Sequence, residues 1–246
     1  MLFFAVFLAS AQTISVGTAI NKAGKQRMLC FKIAKNYLSI GSGVKTEESL
    51  REIDDAASTF NENYSDLMIF IKDKETKIVM EEIGKIWTKF RLKVLNTPEE
   101  NDASALISEA NALAGMCNIV VDKVVANSGL KAAVLPNICG KERMLSQKMA
   151  MYFMASYWKI PYAGLNKELA DTIASFEINL NMLLTSTSNT DEINTILKLQ
   201  KDEWTFLKKS YDLTSESQMP SSVLSSSNLM LKNFDRATGL YEKLLN

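Results

Sequence analysis

Histidine is absent from this chain of 246 residues. That excludes Ser-His-Asp and Cys-His catalysis, His-ligated haem and the Glu-x-x-His iron sites that helical bundles often carry. Cysteine is scarce: Cys30, Cys117 and Cys139 are odd in number and not in Cys-x-x-Cys spacing. Zinc would need four thiolates or a suitable array of carboxylates, and neither is present. The cysteines read as small buried thiols, with a Cys117–Cys139 disulfide as the alternative in an oxidising compartment. Net charge is also missing, since 28 basic residues balance 28 acidic ones. No bulk electrostatic case for nucleic acid survives that balance, so any basic site must be local. Beyond the N-terminus no segment approaches about eighteen uninterrupted apolar residues, so a soluble mature chain is expected. Neither enzyme activity nor a cofactor or metal is expected. A copper(I) thioether site on Met151 and Met154 is the nearest candidate, and methionine as core filler is the commoner use.

Proline and glycine are few, at 4 and 10 residues, and they fall where breaks are wanted. Pro98 and Pro220 sit in polar loops, Pro136 opens a second unit and Pro161 follows that unit's first helix. Between them apolar residues recur at three and four, as in Leu67, Phe70 and Ile71 or Phe176, Leu180, Leu183 and Leu184. The periodicity predicts an all-α chain with helices near 13–40, 46–71, 75–95, 100–127, 137–159, 164–186, 190–212 and 220–245. The first residues differ. An uncharged apolar run, Leu2 to Ala9, followed by Ala9-Ser10-Ala11 reads as a signal peptide over residues 1–11. Export to the periplasm or medium is therefore expected.

The same phrase occurs twice. Gly24-Lys25-Gln26-Arg27-Met28-Leu29 returns as Gly140-Lys141-Glu142-Arg143-Met144-Leu145, 116 positions later (143 − 27). Phe60 aligns with Phe176, Asn63 with Asn179 and Leu67 with Leu183 at that offset. One inserted residue then aligns Trp87 with Trp204 and Asn111 with Asn228. A repeat this long is a duplicated domain. The expected architecture is two tandem up-down four-helix bundles, over residues 12–128 and 129–246. Segment 127–136 joins them as a linker or a kinked continuous helix.

On a helix, Asn21, Gly24, Arg27 and Phe31 share one face, the stripe expected to look inward. Asn137, Gly140, Arg143 and Gln147 occupy the same line in the second unit. A buried arginine needs a partner, because an unpaired buried charge is costly. One candidate is a carboxylate on a neighbouring helix, such as Asp55, Glu109 or Asp122. The other is a small oxyanion, which the planar guanidinium fork matches bidentately. Glycine three residues before each arginine removes a Cβ and lets a ligand or helix approach the backbone.

Ile20-Asn21-Lys22-Ala23-Gly24-Lys25-Gln26-Arg27-Met28-Leu29 resembles the signature of the type IV pilus methyl-accepting chemotaxis transducer N-terminal domain, the PilJ-type domain. Arg143-Met144-Leu145-Ser146-Gln147-Lys148-Met149-Ala150 resembles the same signature in its more usual wording. Both are similar to the motif opening the periplasmic sensor domains of nitrate/nitrite kinases of the NarX and NarQ type. The resemblance implies a four-helix bundle whose first helices pair and hold nitrate between motif arginines and nearby glycine backbone. It assigns Gly24, Arg27, Gly140, Arg143, Asn21 and Asn137 as ligand-binding residues. The expected function is that of an exported sensor-type protein without its own transmitter, binding nitrate or nitrite as a small oxyanion in chemotaxis-like signalling. The alternative is a periplasmic helical interaction module, its arginines structural, docking on a membrane-bound receptor, pilus or transport component.

Overall fold

The computed structural model describes residues 14–130 and 133–245. Their helices are α1 (Val16–Gly41), α2 (Thr46–Phe70), α3 (Lys74–Val94), α4 (Glu100–Ser128), α5 (Val134–Tyr157), α6 (Leu165–Leu184), α7 (Asp191–Leu207) and α8 (Pro220–Lys243). No strand occurs among the described residues, so the fold is all-α. The apolar leader expected over residues 1–11 lies outside them.

Local chemistry sets half of the helix starts. Ser15, Asp73 and Thr190 each accept a backbone N–H from the first turn of α1, α3 and α7, satisfying donors that a helix leaves open. Pro220 occupies the first turn of α8, where its missing N–H costs nothing. Three boundaries differ from the sequence expectation by three residues or more, the first being α1, which starts at Val16 behind its cap Ser15 and not near 13. The α5 helix starts at Val134, ahead of Pro136, because a proline in the first turn forfeits no intrahelical bond. The α7 helix ends at Leu207 and tightens into a 3-10 turn, Lys208–Tyr211. Helix α4 is closed by Gly129 in the left-handed conformation (φ 65°), which glycine adopts without steric cost.

Within each half the same ties recur. Trp87 stacks on Phe60 at 4.0 Å and donates its indole N–H to Asn61 at 2.8 Å. Trp204 packs on Phe176 at 4.7 Å and donates to Glu177 at 3.0 Å. In sequence α4 carries a strongly apolar stretch, with a mean hydropathy of 1.3 over eighteen residues. Its Ala103, Leu106, Ile107, Ala110, Leu113, Ala114 and Cys117 are buried in the bundle, where burial of apolar area is the driving force.

Helix α1 packs on α2, α4 and α5, while α5 packs on α6, α8 and α1. This pairing is compatible with two four-helix bundles joined along α1 and α5. The three cysteines are buried free thiols. Cys139 leans on the Phe234 carbonyl at 3.6 Å, and Cys117 neighbours Cys30, not Cys139. Met151 and Met154 are fully buried core residues.

Candidate functional site

Because α1 and α5 are the helices that join the halves, the two Gly-x-x-Arg elements meet. A β-carbon built on Gly24 would lie 3.3 Å from Nη2 of Arg143 and 3.4 Å from Nη2 of Arg27. One built on Gly140 would lie 3.2 Å and 3.5 Å from the same two atoms. The space left by the two missing methyl groups is thus where both guanidinium ends converge. Both arginines are 0% exposed.

Each arginine is held by the other half. Arg27 donates from Nη2 to Oδ1 of Asn137 at 3.0 Å. Arg143 donates from Nη1 to Oδ1 of Asn21 at 2.8 Å and approaches the Asn21 carbonyl at 3.5 Å. Asn21 is itself anchored, its Nδ2 donating to Glu242 at 2.6 Å. All six residues singled out in the sequence are therefore brought to one place.

The sequence reading missed the partners on α4 and α8. Arg27 donates to Oδ1 of Asn118 at 2.6 Å, and Arg143 makes a salt bridge to Asp235. Asn118 and Asp235 are aligned positions in the repeat, one neutral and one charged. A signal was available: each lies seven residues after an aligned asparagine, Asn111 or Asn228, two helical turns along the same face. Of the expected carboxylates, only Asp122 contributes, and indirectly. It accepts from Nδ2 of Asn118 at 2.7 Å, orienting that amide toward Arg27. Glu109 pairs with Lys93, and Asp55 lines a cleft elsewhere.

The electrostatics follow this asymmetry. Burial, then the charge of Arg143, lowers the Arg27 guanidinium to about 10, with Asp122 opposing. Partial burial would raise the Asp235 carboxyl, but Arg143 and Lys25 outweigh it and hold it below the usual carboxylate range. Next in the chain, burial pushes the fully buried Glu142 well above that range, and its aligned residue Gln26 is equally buried. Glu142 therefore adds little negative charge near the arginines.

Among the described residues, two cations thus stand against one contacting carboxylate. The Nε atoms of Arg27 and Arg143 are buried with no hydrogen-bond partner, although buried donors are normally satisfied. The site offers spare N–H groups and spare positive charge. Such groups suit an anionic oxygen acceptor, and in this structure the amide oxygens of Asn21, Asn118 and Asn137 fill part of that role. No family model, curated protein or solved structure matches the chain.

Proposed function

We propose that this chain is an exported, sensor-type protein of two PilJ-like four-helix bundles that binds one small monoanion between Arg27 and Arg143, nitrate or nitrite first. The observation that carries the reading is the convergence of two fully buried guanidinium groups on Gly24 and Gly140 with, among the described residues, a single contacting carboxylate. Holding the second guanidinium there with no carboxylate of its own is costly. An anion bridging the halves would bias how α1 sits on α5, which is how binding becomes a signal.

Calorimetry with nitrate tests this. The wild type should bind saturably, and Arg27→Ala or Arg143→Ala should weaken binding about 10- to 100-fold, the loss of a charge-assisted hydrogen bond. Gly24→Ala should weaken it similarly while leaving the fold intact. The added methyl sits 3.3 Å from Arg143, and the helix gains up to about 1 kcal/mol in propensity. Saturable binding indifferent to all three substitutions would sink the proposal.

The alternative is an interaction module for a membrane-bound receptor or transport component. It draws support from Phe206 on α7, which is 80% exposed. In that case nitrate produces no saturable heat, and Phe206→Ser abolishes partner capture.

A further inference from the structure

Charge is also arranged about an open cleft beside the arginine pair. A cleft of ≈ 310 Å³ opens between α1, α2 and α8, with Met28, Leu29, Ala56 and Leu231 among its apolar lining. Lys25, Lys32, Lys232, Glu52, Asp55 and Asp235 supply its charges. Two of these carboxylates are already satisfied. Glu52 has Lys35 at 3.5 Å, Lys32 at 3.7 Å and the Asn228 amide at 2.6 Å. Asp235 has Arg143 and, at 3.3 Å, Lys25. Lys35 and Arg143, buried behind the lining, neutralise Glu52 and Asp235, which leaves Lys25, Lys32 and Lys232 facing Asp55, the one lining carboxylate without a partner among the described residues. Lys232 and Asp55 are exposed, and neither side chain has an ion-pair partner among the described residues.

The excess is spread along the cleft. Lys25 and Lys32 stand two turns of α1 apart, about 10 Å by helical rise. Lys232 faces them from α8. A monoanion the size of nitrate cannot span that distance or cover the apolar lining. The second half does not repeat the arrangement: Gly115 aligns with Lys232, and Asp171, which aligns with Asp55, is taken by Lys167 at 2.6 Å.

We infer that this cleft is a second ligand site, taking a small dicarboxylate whose two carboxylates meet Lys25, Lys32 and Lys232 and whose carbon chain lies on Met28 and Leu231. The site borders the arginine pair, with Asp235 between them, but its lysines do not touch either guanidinium. Asp55 lies one turn beyond Glu52 and is free to accept an ammonium carried by the same ligand. The source is therefore either a plain diacid or an acidic amino acid, and both share the recognised chemistry.

Calorimetry on the full chain with glutarate and with glutamate decides. At least one should bind saturably, and Lys232→Ala should weaken it roughly five- to tenfold with an unchanged thermal melt, since Lys232 is exposed. Tighter glutamate binding that Asp55→Asn abolishes assigns the amino acid; tighter glutarate binding assigns the plain diacid. Absence of saturable heat from both, or affinity untouched by Lys232→Ala, overturns the inference. Nitrate titration of Lys232→Ala should match the wild type, so the two sites fail or stand independently.

Discussion

Asp235→Asn is expected to bind nitrate about tenfold more tightly than the wild type and to melt at a lower temperature without it. The substitution places at 235 the residue type found at the aligned position 118. It removes the one carboxylate in contact with the pair among the described residues and leaves both buried arginines on amide oxygens. Breaking an ion pair from one side is costly because the remaining charge keeps its desolvation penalty. Asp235 is 40% exposed at the side chain, so solvent screens part of the effect and a loss of about 1–3 kcal/mol is the expected scale. An incoming monoanion restores that interaction and stabilises the native state by mass action.

Two measurements check this. Thermal melts across a nitrate series should show a larger upward shift for Asp235→Asn than for wild type. Melts across pH should show the two proteins converging in acid. The Asp235 carboxyl is held below its ordinary 3.8, so the pair's contribution is complete above that pH and lost as pH falls through the lower, folded value. A variant less stable than wild type that nitrate does not rescue would contradict the anion reading. It would leave Asp235 a purely structural counter-ion.

Lys35→Met is expected to be at least as stable as wild type at pH 7, with any advantage gone by about pH 10. Lys35 is 0% exposed on α1, its ammonium donating to Asn228 at 2.7 Å and lying 3.5 Å from Glu52. Burial lowers it to about 8 from 10.5, and the attraction of Glu52 only partly compensates. Glu52 moves the other way in balance: its burial would raise it, but Lys35 and Lys32 together hold it low. Between those two pH values the unfolded chain keeps a proton that the folded chain has released. Stability should therefore rise with pH across the window, and below it the fold bears the cost of a buried ammonium.

At roughly 1.4 kcal/mol per unit, that cost is of order 3 kcal/mol before losses elsewhere. The aligned residue in the second half is Met151, also fully buried, so a thioether suits this kind of position. Glu52 would retain Lys32, Asn36 and Asn228. Urea unfolding of both proteins from pH 7 to 10 measures the difference. Titrations common to both, such as Arg27, cancel. A variant several kcal/mol less stable at every pH would mean that the Lys35–Glu52–Asn228 link outweighs the burial of its charge.

How much could be read before any coordinates varied with the range of the interaction. Helix identity was legible because three- and four-residue spacing is a local signal, and α2, α3, α4 and α6 lie close to where it places them. The ends of α5 and α7 were less legible. Pro136 reads as a start signal, yet a first-turn proline is tolerated inside the helix. The partner of Arg143 was only faintly legible. The register of the repeat sets Asp235 opposite Asn118, but only the packing of α5 on α8 brings it within reach of the arginine.

The sequence by itself determined that this protein is helical, that its halves repeat, and that an arginine lies on the inward face of the first helix in each. Those properties follow from periodicity and alignment along one chain. Tertiary structure alone decided that the two arginines share one buried place, that asparagines from opposite halves hold them, and that Asp235 is the carboxylate that meets Arg143. The first two depend on α1 lying against α5. That is a contact between segments more than a hundred residues apart, and no local spacing encodes it.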